Sequence, residues 1–274
     1  MRSDKLLGAE SHFEFGKNWS DYAQKIDDRA IAAAAEGVLR LLPRNAVRGA
    51  RWLDVGSGSG LHSLAAAKLG ASDITAIDID ADSVATTSRI LAEHGVTARV
   101  LQKSVFELDD LGYFDVVYSW GVLHHTGDMW RAIDCAAGRV APGGWFALAL
   151  YQKTALCGAW TVEKALYSKA GEPVRKVMRK LYMLAYHLQL ALKGKSSAEH
   201  ADTYAQNRGM SFEHDVHDWL GGYPYESVTP EATRSFLVER GFTPVMIGDL
   251  KPGLGIFGTG CAEFVFRKDG PQKG

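Results

Sequence analysis

Short apolar segments alternate with helix-forming segments through the middle of the chain. Five of these apolar segments have the length of buried strands: 51–55, 74–77, 98–101, 114–119 and 145–151. The segments between them predict helices over 61–69, 83–94 and 129–140. Strands and helices that alternate in this way predict a parallel sheet covered on both faces, so the fold class is α/β.

This alternation stops after Tyr151 and returns only later in the chain. Residues 152–226 show no obvious strand, and their apolar side chains recur at helical spacing: Val174, Val177, Met178, Leu181, Ala185, Leu188 and Leu192. A helix over 230–240 and strands over 244–247 and 262–267 are predicted beyond them. Upstream, an alanine-rich helix over 30–42 is predicted to end at Pro43.

These patterns divide the chain into four predicted segments. Residues 1–45 form an N-terminal helical lid, and residues 46–151 form the core of the sheet. Residues 152–226 form a helical and loop insertion above the sheet that binds the substrate, and residues 227–274 complete the core with a helix and two strands.

The composition narrows the class of protein. Hydrophobic residues make up 46% and charged residues 23%, which is typical of a globular domain. The net charge of -1 gives no whole-protein field that attracts nucleic acid or a membrane, so only local patches could do so. No segment is long and apolar enough to span a membrane. The three cysteines lack ligand-like spacing and no signal peptide is evident, so we expect a reducing, cytoplasmic location.

A glycine loop follows the first predicted strand, in the run Leu-Asp-Val-Gly-Ser-Gly-Ser-Gly at 53–60. A strand, a glycine loop and a helix in this order are typical of a site for a nucleotide-like ligand. Asp54 favours a positively charged ligand over a pyrophosphate, and Asp78 can accept both ribose hydroxyls of a nucleoside. The alternative is an ordinary glycine turn, with Asp78 capping the next helix.

Four motifs in order resemble those of class I S-adenosylmethionine (SAM) dependent methyltransferases. They are L-D-V-G-S-G-S-G at 53–60, I-D-I-D at 77–80, F-D-V-V-Y-S-W-G-V-L-H-H at 114–125 and V-A-P-G-G at 140–144. The third has the V-L-H-H form found in ubiquinone- and menaquinone-biosynthesis-type enzymes. The resemblance implies a Rossmann-like, seven-stranded, mostly parallel sheet with an antiparallel last strand, a helical insertion after strand 5, and SAM as the cofactor.

The resemblance also implies which residues bind the cofactor. The residues expected around the amino-acid end of SAM are Asp54, Gly56, Ser57, Gly58 and Gly60. The residues expected at the ribose and the adenine are Asp78, Ile79, Ser104 and Val105. Trp120, which follows the fourth strand, would lie near the sulfur that carries the methyl group.

Two histidines are candidates for a catalytic base. His125 lies past the end of the fourth strand, where ligands gather in open α/β sheets, and histidine titrates near working pH. Its alternative role is structural, as packing or a cap for the next helix, and for His124 we favour that structural role. His214 in the insertion is the rival base.

A second polar cluster, residues 208–226, ends the insertion and is dense in His, Asp, Trp and Tyr. It resembles a segment of bacterial polysaccharide and natural-product methyltransferases, written D-W, G-G-Y-P and E. The residues expected to contact the substrate, here and elsewhere, are Trp19, Tyr151, Arg208, Asp215, Asp218, Trp219 and Tyr223. The alternative for this cluster is a loop whose Asp and His cap helices; its spacing matches no tight metal motif, and no metal is predicted.

The insertion also carries many basic residues and few acidic ones. They are Lys164, Lys169, Arg175, Lys176, Arg179, Lys180, Lys193 and Lys195. Such a stripe is usually a solvated face opposite an apolar one. The alternatives are that it faces an anionic acceptor or lies on a membrane surface.

The sequence thus predicts a SAM-dependent methyltransferase that O-methylates a hydroxyl of a small molecule. The acceptor classes are a sugar, a lipid-linked compound, or a natural-product or quinol hydroxyl. An RNA nucleoside-modifying enzyme and a catalytically silent SAM-binding protein are the alternatives. A nicotinamide dehydrogenase is disfavoured because the glycines lack the G-x-G-x-x-G spacing.

Overall fold

The computed structural model describes residues 19, 23, 26–194, 212–248 and 254–270, without the side chains of 212–215 and 218. A seven-stranded sheet is the centre of the fold, in the order β3-β2-β1-β4-β5-β7-β6. Its strands are β1 (Arg51–Val55), β2 (Asp73–Asp78), β3 (Arg99–Gln102), β4 (Phe114–Trp120), β5 (Val140–Tyr151), β6 (Phe242–Ile247) and β7 (Cys261–Lys268). The first five strands pair in parallel, and β7 runs antiparallel between β5 and β6. The predicted Rossmann-like sheet is confirmed.

Nine α-helices are found in the described parts of the chain. They are α1 (Asp28–Leu41), α2 (Arg44–Val47), α3 (Leu61–Lys68), α4 (Ala81–Glu93), α5 (Met129–Ala137), α6 (Cys157–Lys169), α7 (Glu172–Leu192), α8 (Phe212–Gly221) and α9 (Pro230–Val238). Asp27 begins α1, because its carboxylate accepts a hydrogen bond from the Ala30 N–H at 2.8 Å.

The sheet is buried on both faces, as its apolar strands require. On one face, Trp52 and Tyr118 stack with ring centroids 5.3 Å apart and pack with α1 and α3. On the other face, Leu53, Phe146 and Phe264 form a core with α5 and α9. Both layers leave the carboxyl ends of the parallel strands as the edge where the loops gather.

Two predicted boundaries were wrong. The fifth strand begins at Val140, so Pro142 and Gly144 lie within β5 rather than in a turn ahead of it. The pairing of β4 with β5 shifts register between Phe114 and Val116, and this bulge accommodates the extra residues. Because β5 begins so early, α5 ends at Ala137, before the predicted end at residue 140.

Helices α6, α7 and α8 form a unit that we call the cap. Inside it, Tyr167, Val216 and Leu220 make a small core. Its two ends are fastened together at the sheet, since the Val228 N–H donates to the Tyr151 carbonyl at 2.9 Å and the Lys153 N–H donates to the Val228 carbonyl at 2.7 Å. Among the described helices, none combines the length and the apolar character needed to cross a bilayer.

Candidate active site

The glycine loop connects β1 to α3 and is held against β2. Its Gly56 and Ser57 N–H groups donate to the Ile77 carbonyl at 2.8 and 3.0 Å. Gly56, Gly58 and Gly60 all have positive φ, between 54° and 79°, which disfavours residues with a Cβ. A Cβ on Gly56 would also lie 2.5 Å from Val122. The loop therefore depends on glycine both for its conformation and for its close contact with the chain beyond β4.

Asp78 lies beside this loop at the end of β2. Its two carboxylate oxygens accept hydrogen bonds from the Gly58 N–H and the Asp80 N–H, each at 3.0 Å. Burial raises the pKa of Asp78 to about 6, against the lowering effect of those hydrogen bonds. The carboxylate is fixed at the loop, where a ribose would be held.

Asp54 lies beneath the loop rather than in it. The side chain is 3% exposed and accepts a hydrogen bond from the Ser63 hydroxyl at 2.6 Å. Burial raises the pKa of Asp54 to about 7. Asp54 therefore joins β1 to α3 below the glycine loop.

A hydroxyl pair ties the loop to α4. The Thr87 hydroxyl donates to the Gly58 carbonyl at 3.1 Å, and the Ser57 and Thr87 hydroxyl oxygens are 3.0 Å apart. Since the Thr87 proton is used toward Gly58, Ser57 is the donor in this pair. Thr87 was not predicted, because its distance from the loop in sequence gives no signal of this contact.

The other cofactor candidates surround the loop and the ends of β2 and β3. The indole of Trp19 lies 3.2 Å from where a Cβ on Gly58 would be, so this ring covers the loop. Ile79 is half-buried, and its carbonyl accepts from the Gln102 side chain at 3.2 Å. Ser104 and Val105 are buried, and the Ser104 hydroxyl accepts from the Phe106 N–H.

Trp120 belongs to a cluster on the α1 and α3 side of the sheet. Its indole N–H donates to Glu263 at 3.0 Å, and Glu263 pairs with Arg40 at 2.6 Å. The ring of His62 lies 6.3 Å from that of Trp120. Burial lowers the pKa of His62 to about 4, so this imidazole is neutral. The sequence did not point to His62 or Glu263, which are separated from Trp120 along the chain.

His125 is in the short 3-10 helix that follows β4, together with His124. The Nδ1 atom of His125 is 2.8 Å from the Pro224 carbonyl, and its backbone N–H donates to the Val122 carbonyl at 2.9 Å. A carbonyl only accepts, so Nδ1 carries the proton, and in the neutral ring the lone pair is on Nε2. Val122 also packs on Gly56. The turn that holds His125 is therefore in contact with the glycine loop through Val122.

His124 is fully buried beside Tyr151, with ring centroids 3.9 Å apart. Its Nδ1 accepts from the Tyr151 N–H at 3.4 Å. Burial, with the nearby charges of His125 and Lys164, lowers the pKa of His124 well below its usual value. This environment keeps the ring neutral and agrees with a packing role.

An aromatic cluster lies beside the two histidines, made by Tyr151 at the end of β5, Trp219 in α8 and Tyr225 after α8. The ring of Tyr151 is 5.1 Å from that of Trp219 and 5.5 Å from that of Tyr225. Beneath them lies Lys164, which is fully buried with Nζ 3.7 Å from the centre of the Trp219 ring. We expected Lys164 on a solvated face; that was wrong, because aromatic rings enclose its ammonium group.

The remaining predicted residues fall in different places. Arg208 lies outside the described residues, as do the side chains of His214, Asp215 and Asp218. Tyr223 is half-buried next to Pro224. His217 contacts the Tyr167 hydroxyl at 2.7 Å inside the cap. In the parts of the chain that the structure describes, no group of His, Cys, Asp or Glu could hold a metal ion.

The second polar cluster ends at Glu226, whose contact with the beginning of α5 the sequence did not predict. Its carboxylate accepts from the Met129 N–H at 2.9 Å, at the beginning of α5, and its own N–H donates to the His124 carbonyl at 3.0 Å. Glu226 therefore joins the end of the insertion to both sides of the histidine turn. A Glu far from a helix start in sequence carries no visible capping signal.

The geometry fits SAM at the glycine loop. The glycine loop exposes no Cβ, Asp78 presents a fixed carboxylate beside it that could accept from a ribose, and the Trp19 ring lies against Gly58. Asp54 adds buried negative charge close to a cationic ligand when it is ionised. These two carboxylates suit a cationic nucleoside and would repel a pyrophosphate.

Comparisons with known proteins agree with this geometry. A family model described as a methyltransferase domain matches residues 25–218. Over 112 residues the chain is 43% identical to a ribosomal protein L11 methyltransferase from Citrifermentans bemidjiense, a match covering 39% of this chain and 35% of that protein. Over 126 residues it is 36% identical to a ubiquinone biosynthesis O-methyltransferase from Xanthomonas campestris pv. campestris. This match covers 45% of this chain and 52% of that protein. The aligned part thus spans about a third to a half of these curated relatives.

A solved structure shares the fold along most of the chain. It is magnesium protoporphyrin IX methyltransferase from Synechocystis PCC 6803 with bound SAH, with a TM-score of 0.53 and 16% identity. The alignment covers 90% of this chain and 86% of that one. Because the family match runs through the glycine loop, Asp78 and the histidine turn, the chain belongs to the methyltransferase domain family and is a SAM-dependent methyltransferase.

Proposed function

We propose that this methyltransferase transfers the methyl group to a hydroxyl of a small molecule, with His125 as the base. We also propose that it belongs to the ubiquinone- and menaquinone-type branch, with its insertion as the substrate-binding part. The observation that carries the proposal is the hydrogen bond of His125 Nδ1 to the Pro224 carbonyl. That bond orients the His125 ring beside Tyr151, in the turn that also contacts the glycine loop.

The chemistry explains why a hydroxyl acceptor needs such a histidine. When bound, SAM supplies an electrophilic methyl group on a sulfonium, which is already a good leaving group. An aliphatic or sugar hydroxyl is a poor nucleophile until it loses its proton, and a phenol gains from the same assistance. In the neutral His125, the Nε2 lone pair can take that proton while Pro224 keeps the ring in place.

The aromatic cluster beside the histidines supports an acceptor with a flat or apolar face. Tyr151, Trp219 and Tyr225 present ring faces and edges to one another, with centroids 5.1 to 6.1 Å apart. Aromatic walls of this kind bind flat rings and the apolar faces of sugars, and they offer few hydrogen bonds. A quinol, a phenolic natural product and a sugar or lipid-linked sugar all meet this description.

An acceptor screen with methyl-labelled SAM tests the proposal. The arms are phenols and quinols, sugars, lipid-linked sugars, amines, a ribosomal protein and short RNA, and the product's methylated atom is assigned by NMR. We expect label on an oxygen of a small molecule and none on protein or RNA. Transfer to nitrogen or carbon, or to a macromolecule alone, would contradict the proposed acceptor. The assignment as a SAM-dependent methyltransferase would stand in either case.

A further inference from the structure

The outward face of α7 is apolar, and its side chains are exposed. Six branched side chains on this face, between 53% and 83% exposed, are Val174, Val177, Leu181, Leu184, Leu188 and Leu192. The opposite face of the helix packs into the cap through Met178, Tyr182 and Met183. The exposed row is therefore additional to the apolar residues that hold the helix in place.

A neighbouring loop packs on the cap side of α7. The Tyr182 hydroxyl donates to the Phe257 carbonyl at 2.7 Å, and the Trp160 indole donates to the Gly255 carbonyl at 2.6 Å. The loop held in this way against the cap carries two more exposed apolar side chains, Leu254 and Ile256. We call the six exposed α7 side chains the apolar strip.

The size of the apolar strip is unusual for a surface that faces water. Six large side chains in one row, each more than half exposed, amount to an area on the order of 600 Å². The largest apolar patch on a typical monomer is roughly 300 to 600 Å² and commonly has a binding role. This area indicates a surface with an occupant.

The charged residues around the apolar strip indicate what kind of partner binds it. Exposed lysines on and beside α7 are Lys169, Lys176, Lys180 and Lys193. Glu172 is the one acidic residue in α7, and it already pairs with Arg179. Arg175 donates to the carbonyls of Tyr167 and Ser168, so its charge is used within the cap. The free face of α7 is therefore apolar at its centre and cationic around it.

We propose that the apolar strip binds the surface of an anionic lipid bilayer, with α7 lying in the plane of the interface. An amphipathic helix of this kind buries its apolar face at the headgroup boundary, and its lysines reach the anionic headgroups. A second copy of the chain fits less well. Two α7 helices face to face would bring lysines together with no acidic partners for them.

Sedimentation with vesicles tests this proposal on the full chain. The vesicles are phosphatidylcholine alone and phosphatidylcholine mixed with phosphatidylglycerol. We expect the wild type to sediment with the mixed vesicles and to remain in the supernatant with phosphatidylcholine alone. Absence of binding to the mixed vesicles, or equal binding to both types, would overturn the proposal.

Three variants separate the contributions of the strip. Leu181→Glu with Leu188→Glu is expected to reduce partitioning by at least about tenfold, and Lys176→Glu with Lys180→Glu by roughly tenfold. The matched control is Val245→Glu, which alters an equally exposed apolar side chain on β6 and should change nothing. Unchanged circular dichroism and SAM affinity verify folding. Equal binding by the wild type and both double variants would overturn the proposal.

Analytical ultracentrifugation without lipid tests whether a second copy of the chain binds the apolar strip instead. We expect the wild type and Leu181→Glu/Leu188→Glu to have the same mass. A wild-type dimer that becomes a monomer in this variant would show that the apolar strip joins two copies of the chain, and would overturn the membrane proposal.

Discussion

The Nδ1 atom of His125 lies 2.8 Å from the carbonyl oxygen of Pro224, so a turn at the end of β4 is bonded to the segment that leaves the cap. The two residues are distant in sequence and meet because the cap returns to the sheet edge beside the histidine turn. The bond fixes the tautomer and the orientation of the imidazole. The catalytic role proposed for His125 follows from this geometry.

Replacement of His125 by Ala is expected to lower kcat by roughly 100- to 10,000-fold with a hydroxyl acceptor, because proton removal is lost. SAM binding should be unchanged, since the cofactor loop is bonded independently to β2. Turnover with the acceptor found by screening and calorimetry with SAM measure the two effects. His94→Ala, a change on the far end of α4, is the matched control. A His125→Ala protein with full turnover would place the base elsewhere.

Replacement of Glu226 by Ala should lower the free energy of unfolding by about 1 kcal/mol, because the N–H of Met129 loses its acceptor at the beginning of α5. Glu226→Gln keeps a side-chain oxygen and is the matched control, with a smaller loss. Urea unfolding of the three proteins measures the difference. Equal stability of Glu226→Ala and the wild type would show that water replaces this cap without cost.

Replacement of Asp78 by Asn is expected to weaken SAM binding by roughly 10- to 100-fold, because a charged acceptor at the ribose is lost. Asp73→Asn at the other end of β2 removes an exposed carboxylate and should leave the affinity unchanged. Calorimetry with SAM measures both proteins. Thermal unfolding verifies that the variant is folded, because the asparagine amide keeps only one of the two oxygens that accept from the Gly58 and Asp80 N–H groups. Wild-type affinity in a folded Asp78→Asn protein would refute the ribose assignment.

Replacement of Asp54 by Asn should stabilise the protein in a way that depends on pH. Burial raises the pKa of Asp54 from 3.8 to about 7, so the folded state prefers the protonated carboxyl. Its contribution to stability is complete below about pH 4 and is lost as the pH rises through about 7. The advantage of Asp54→Asn should therefore grow across that window, to the order of 2 to 4 kcal/mol at most, and then level off.

Urea unfolding at a series of pH values measures this advantage, with SAM absent. The exposed variant Asp73→Asn is again the control and should show no such rise. An Asp54→Asn advantage that is constant over the whole series would mean that Asp54 keeps its ordinary pKa in the folded protein.

Local patterns predicted the sheet and the cofactor loop. Each signal occupies only a few consecutive residues: the apolar runs of β1, β2 and β4, the glycines at 56–60 and Asp78 at the end of β2. Such signals follow from strand burial and from backbone conformation, which the local sequence determines. The early beginning of β5 at Val140 was missed because a Pro-Gly-Gly run also forms turns.

The acceptor side could not be predicted in the same way. The contacts of Trp120 with Glu263, of His125 with Pro224 and of Met129 with Glu226 join residues far apart in the chain. Lys164 and Lys176 look alike in the sequence, yet one is enclosed by aromatic rings and the other is exposed. Helical spacing indicates an apolar face but not whether that face points inward. Only the structure shows that the apolar face of α7 is exposed.

The antiparallel pairing of β5 with β7 has a consequence for the newborn chain. β5 pairs with β7 from Trp145 to Tyr151, and β7 is synthesised only after the whole cap and α9. Until then, a long apolar strand has an open edge on the ribosome, the kind of edge that joins other chains. We expect a chain truncated before β7 to keep this edge of β5 open and to aggregate.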